Sequence, residues 1–254
     1  MQLFLIDAQK FEHIQGHFGC FGKVKVYNET HESVIFACAK RDHGSANNNI
    51  YISEIGEQPA GVTGKFEKII DFQYPDESTN DFPIFMSIDD KHGLLFMVSN
   101  QGVLFLFEIA SGSMILRSRI SDVNVVIGAK NLKTGGILIL NTKGNVIPID
   151  TDSSYIVEYL KTACGHITNS AEVAMNLAVR YGLAGAEQYF QQKFNQFMMS
   201  QQYIQAAELV AQSPGELLRN KNTLDQFKTL QSPDGRPMIQ HYFYLALEKT
   251  TLNA

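Results

Sequence analysis

Cysteine, charge of one sign and long apolar runs are all scarce in this 254-residue sequence. Three cysteines at wide spacing (Cys20, Cys38, Cys164) do not make a disulfide framework, and they fit a reducing, cytosolic compartment. Charged residues are only 19% of the chain, and 21 Lys and Arg against 26 Asp and Glu leave a net charge of −5. Without a basic excess there is no broad phosphate-tracking surface, which argues against nucleic acid as a partner. The longest apolar runs, such as 93–98, stop far short of the roughly 18–20 residues that a membrane span needs. Met1 runs through Leu3, Leu5 and Ile6 to Asp7 with no basic leader residue, so the start does not read as a signal peptide. The chain has 44% hydrophobic residues, enough core for one large domain or two small ones.

Chemistry-bearing motifs are equally scarce. Cys164 and His166 form one pair with no second pair at ligand spacing, whereas a structural zinc site wants four ligands. Gly16, Gly19 and Gly22 are spaced like a phosphate loop but lack the strand-then-helix context and the Gly-Lys-Ser/Thr ending, so they read as a bend between sheets. Asp89 and Asp90, like Asp150 and Asp152, sit where turn acids belong and match no calcium loop. No Gly-x-Ser-x-Gly elbow occurs, and Cys20 and Cys38 read as small core residues. An enzyme, a metal site and a cofactor are therefore not expected.

The period of the pattern changes near residue 152. Before it, runs rich in Val, Ile, Phe and Tyr alternate with turn residues. They predict strands at 2–7, 22–27, 33–40, 49–55, 67–72, 82–88, 93–99, 103–109, 113–120, 123–129, 136–140 and 145–149. The strand–turn–strand unit at 93–107 recurs at 136–149, with turn glycines Gly102 and Gly144 placed 42 residues apart, and a longer-looped copy lies at 34–54. A repeat of that length with about four strands is the mark of β-propeller blades. About three blades are present, fewer than the four or more that close a ring, which points to a partial propeller and a fragment.

After 152 the period is helical. Helices are predicted at 155–164, 170–181, 184–200, 203–212, 223–230 and 238–250, with Ser153 or Ser154 capping the first and Asn169 or Ser170 the second. Apolar stripes run through Phe190, Phe194, Phe197 and Met198, through Tyr203, Ala206, Ala207 and Val210, and through Ile239, Tyr242, Phe243, Ala246 and Leu247. Successive amphipathic hairpins with short connections predict an α-solenoid over 153–254, following the β domain of 1–152.

Several stretches together resemble the clathrin heavy chain family. The helical half carries Leu177, Ala178, Val179 and Arg180, then Leu183, Ala184, Gly185, Ala186 and Glu187, then Lys193, Phe194 and Asn195. Tyr203, Ala206, Ala207, Pro214, Leu218, Arg219, Thr223, Phe227 and the run from Gln240 to Phe243 follow. The β half adds Asn80, Asp81, Phe82, Pro83, Lys91, His92, Gly112, Arg119, Ile120, Ser121 and the opening Met1, Gln2, Leu3. The resemblance implies the later blades of a seven-bladed terminal propeller (1–152) and the linker helices and first repeats of the proximal leg (153–254). It implies a structural coat protein of vesicles, not an enzyme, without a cofactor, on the cytoplasmic face of coated pits and vesicles. Its partners would be other heavy chains and adaptor proteins carrying short linear motifs, with membrane reached only through adaptors. A secondary adaptor pocket of the family falls near Leu3 and Ile14, where Ala8 and Glu12 replace a basic residue and a glutamine. The trimerisation and light-chain regions correspond to nothing in these residues. The alternative from another class is a short stand-alone adaptor-binding module that cannot form cages.

Overall fold

The computed structural model describes residues 2–5, 10–13, 16–27, 31–41, 48–55, 58, 62, 64–75, 80–185, 187–213, 217–231, 235 and 237–251. The chain divides into two compact units, one of residues 1–152 together with 164–168, the other of residues 153–163 and 169–254.

The first unit is built of antiparallel sheets, each laid out in chain order. A two-stranded sheet joins β1 (Gln2–Leu5) and β2 (Lys10–His13). A four-stranded sheet follows with β3 (Phe18–Val24), β4 (Ser33–Arg41), β5 (Asn48–Glu54) and β6 (Glu67–Phe72). The next is β7 (Pro83–Asp89), β8 (Leu94–Ser99), β9 (Val103–Glu108) and β10 (Ser113–Arg119). The last has three strands, β11 (Val125–Lys130), β12 (Ile137–Asn141) and β13 (Val146–Ile149). The three sequence repeats are the second and third strands of the last three sheets. Gly102 and Gly144 hold equivalent turns at φ +79° and +81°, where a side chain would be strained.

The first strands of successive sheets lie side by side, β7 between β3 and β11. The sheets then stack face on face. Ile35, Ala37, Ile50, Ile52 and Ile70 of one meet Met86, Ile88, Leu95, Met97, Phe105 and Phe107 of the next. Every residue of β8 and β9 is buried, which explains why those strands read as unbroken apolar runs and not as alternation: both faces are covered. Phe72 sets its ring edge-on to Phe105 at 5.4 Å. Each such fully buried side chain contributes about 1.5–3 kcal/mol through removal from water.

Gly19 and Gly22 lie inside β3, not in a bend. Gly22 is required there by proximity, since a Cβ would stand 2.5 Å from Ile88 of β7. The strand expected at 22–27 begins four residues earlier and ends three residues earlier, at Phe18–Val24.

The second unit holds α1 (Ile156–Thr162), α2 (Ser170–Tyr181), α3 (Glu187–Met199), α4 (Tyr203–Gln212), α5 (Lys221–Thr229) and α6 (Met238–Thr251). Neighbouring pairs are α1 with α2, α3 with α4, α4 with α6, and α5 with α6. Ser153 and Ser154 do not cap α1. Its N-cap is Tyr155, because burial of Ile156, Val157 and Leu160 sets where the helix begins. Asn169 does occupy the N-cap of α2, in left-handed backbone, without a side-chain bond. Its carbonyl accepts from the N–H groups of Glu172 and Val173 instead. Asn220 caps α5, its Oδ1 accepting from the Thr223 N–H at 3.0 Å. Phe243 leaves the expected core stripe of α6 and is 48% exposed; Met238 and Tyr242 form the buried row.

Candidate functional site

The motif-bearing residues of the helical unit converge on the corner between α2 and α3. Gly182 ends α2 at φ +62°, and the N–H groups of Gly182 and Leu183 both donate to the Ala178 carbonyl. A glycine in left-handed backbone closes the helix without the Cβ penalty. Gly185 follows at φ +92°. Its N–H donates to Glu187 Oε2 at 2.8 Å, and its carbonyl accepts from Lys161 Nζ on α1. Space around Gly185 is ordinary, the nearest atom to a built Cβ being Val157 at 3.6 Å, so conformation and not crowding selects glycine here. Glu187 opens α3, where a carboxylate also complements the helix dipole. Leu183 is half-buried and Ala184 exposed; Ala186 lies outside the described residues.

Two turns into α3 the same motif supplies the core. Phe194 is buried and meets the Phe227 ring at 6.2 Å, edge to face, and Phe227 stacks on Tyr242 at 5.4 Å. Beside it, the Lys193 ammonium stands 5.8 Å over the Phe197 ring. Asn195 Oδ1 accepts from Gln191 Nε2 at 3.4 Å, one turn earlier. The motif residues therefore act as a frame: a corner set by Gly185, Glu187 and Lys161, and an aromatic stack begun by Phe194.

The acids of the β unit also have structural roles. Asp89 is fully buried. Its Oδ2 lies 2.6 Å from His92 Nδ1, and its Oδ1 accepts from the Lys91 N–H. Asp90 joins three sheets, accepting from the Lys23 N–H of β3 at 3.0 Å and pairing with Lys130 of β11 at 2.6 Å. Glu108 accepts from the Ala110 and Ser111 N–H groups and closes the β9–β10 turn. Glu54 is buried with one oxygen 2.5 Å from the Tyr27 hydroxyl and accepting from the Phe66 N–H. Burial alone would raise the Glu54 carboxyl; these hydrogen bonds outweigh it and hold the group below its usual range.

Cys164 and His166 hold no metal partner set. Cys164 Sγ donates to the Ile115 carbonyl and His166 Nε2 to the Met114 carbonyl, both on β10, so the 164–168 loop is bonded to the edge of a sheet. Burial pushes the Cys20 thiol up to about 12 and raises Cys38 and Cys164 as well, which makes all three poor nucleophiles. Among the described residues there is no cluster of three or more potential metal ligands, and no helix is long and apolar enough to cross a membrane. The Leu3 backbone pairs with Glu12 across β1 and β2, but the side chains of Leu3 and Glu12, and all of Ala8 and Ile14, lie outside the described residues.

The sequence reading missed two features. One is the tie at Asp90, invisible because its partners are far along the chain. The other is the outer face of the last sheet, where Ile127, Leu138 and Val146 stand exposed. Unbroken apolar runs in β11 and β12, with no polar alternation, were the available signal.

Residues 182–245, which include the corner and the aromatic stack, match the family described as Clathrin-H-link. The whole chain is 31% identical to human "Clathrin heavy chain 2", 32% to "Clathrin heavy chain" of Dictyostelium discoideum and 30% to that of Drosophila melanogaster. In each case all of this chain aligns, and it spans 15% of the relative's length. From its first strand to its last helix, the chain is similar in sequence to about 15% of the clathrin heavy chain.

Proposed function

We propose that the chain is a structural coat component in vesicle transport, with the β unit as the later part of a seven-bladed propeller and the helices as a linker and the first repeats of an α-solenoid leg. The observation that carries the reading is the end-to-end similarity combined with the corner at Gly185: a series of sheets is followed in the chain by helices, and the corner between α2 and α3 lies at the start of the stretch that matches the family. The side chains with chemistry serve the fold, which supports a scaffold and not an enzyme. Such a scaffold works on the cytoplasmic face of coated pits and vesicles. It engages other heavy chains, and adaptor proteins with short linear motifs near Leu3 and Ile14.

The test is the native polypeptide. An antibody to residues 155–254 should detect a band several-fold larger than 28.4 kDa that sediments with coated vesicles. A 28.4 kDa band absent from coats would overturn the coat role and leave a short adaptor-binding module.

A further inference from the structure

We infer that the buried carboxylate of Glu54 holds a structural water molecule, shared with Ser33 and Gln58, where the β3–β4 and β5–β6 connections leave their sheet. Register sets the place. Ser33 stands opposite Val24 of β3, and Glu54 opposite Ile35 of β4. Ser33 and Ile35 are two residues apart in one strand and so share a face. Ile35 packs in the core that β3–β6 forms with β7–β10. Ser33 and Glu54 therefore point between two sheets, and each is 1% exposed.

The two oxygens of Glu54 are served unequally. Oε2 accepts from the Tyr27 hydroxyl at 2.5 Å and from the Phe66 N–H at 3.3 Å. Oε1 is buried with no protein donor within hydrogen-bond distance. Ser33 Oγ and Gln58 Nε2 are buried without a partner as well. The three atoms belong to one cluster. Burial disfavours the Glu54 charge, while Tyr27, then Ser33, Phe66 and Gln58, favour it. Ser33 and Gln58 are thus close enough to act on the carboxylate and too far to bond it directly. A polar contact of that span is bridged by water.

The chemistry of the three atoms selects the guest. Oε1 only accepts, Gln58 Nε2 only donates, and Ser33 Oγ does either. Water donates to the first, accepts from the second and keeps a bond for the hydroxyl, and buried waters make about three bonds of this kind. A cation would satisfy Oε1 and Oγ but meet the Gln58 amide hydrogens with like charge. An apolar guest would leave all three atoms unpaired. The consequence is mechanical. Tyr27 lies in the connection between β3 and β4, Ser33 at its end, and Gln58 and Phe66 in the connection between β5 and β6. The carboxylate and its water together bond all four, which fastens both connections to one point. The inference rests on these five residues and stands apart from the coat role.

The experiment is a crystal structure of the 254-residue chain grown in rubidium chloride, whose anomalous scattering marks a bound cation. The expected result is one solvent peak without anomalous signal, about 2.6–3.2 Å from Glu54 Oε1, Ser33 Oγ and the Gln58 amide. Glu54→Leu should lose the peak, because an apolar side chain takes the place of its charged partner. If that variant does not fold, Ser33→Val serves, since it sets a methyl where the hydroxyl stood. Three results would each overturn the proposal. An anomalous peak would put a cation at the site. Ser33 or Gln58 bonded directly to Oε1 would leave the water no role. A solvent peak that persists in the variant would not depend on these groups.

Discussion

Asp90 reaches 67 residues back to the Lys23 N–H and 40 forward to Lys130, whereas Gly185 takes one partner two residues on, at Glu187, and the other 24 back, at Lys161. That contrast runs through the two units. The β unit is held by contacts between sheets far apart in the chain, with its middle sheet sealed on both faces. The helical unit is held between near neighbours, through caps, a corner and one aromatic stack. A local fault should therefore stay local among the helices and spread among the sheets.

The sharpest way to break the comparison is Phe194→Asp. An unpaired carboxylate in the stack with Phe227 costs on the order of 3–5 kcal/mol or more from lost packing and desolvation together. The expected outcome is loss of helical circular dichroism, with amide protection retained in β8 and β9. Loss of protection in both units together would mean that they do not fail separately. Next comes Gly128→Ala in β11, where a methyl would overlap the Phe85 ring of β7. Overpacking of this kind costs about 1–3 kcal/mol. Hydrogen exchange should show it as faster opening of β7 as well as β11.

Gly185→Ala tests the corner. There is room for the methyl, so the cost is backbone strain alone at φ +92°, about 1–2 kcal/mol. A lower melting temperature of the helical unit, with the sheets unaffected, is the expected reading. The smallest effect concerns Tyr27. Desolvation, and after it the bond to the Glu54 carboxylate, push its hydroxyl from 10 up to about 12. The folded state holds that proton longer than the unfolded chain does. Its stabilisation is whole below about pH 10 and is lost between about 10 and 12. Cys20, raised to about 12, acts in the same direction, so the measurement is a difference. Melts from pH 9 to 11.5 should show Tyr27→Phe losing less stability than the wild type. Equal slopes would remove the Tyr27–Glu54 couple from the account.

Strand and helix periods were legible because they are local. The pairs 93–107 and 136–149 could be matched as repeats from turn glycines and apolar runs, and they occupy equivalent places in their sheets. Helix interiors followed from the stripes of Phe190, Phe194, Ala206, Ala207 and Val210, all of which are buried. Ends were less legible. α1 begins at Ile156 because of which side chains are buried, not because of the serines before it. Phe243 satisfied the stripe yet faces solvent, since periodicity tells which residues share a side and not which side meets a neighbour.

By itself, the sequence determined the change from sheet to helix near residue 152, the repeats, the glycines that turn them, and the family resemblance carried by Leu183, Gly185, Glu187, Lys193, Phe194 and Asn195. Those are properties of backbone preference and short-range pattern, and they survive without knowledge of any distant contact. Tertiary structure alone decided that Asp90 ties Lys23 and Lys130 together, and that Cys164 and His166 bond to the Ile115 and Met114 carbonyls of β10. It alone left Ile127, Leu138 and Val146 in the open. The physical reason is the same in each case. A side chain's role is set by what lies within a few ångströms of it, and for these residues that neighbour is up to 67 positions away in the chain.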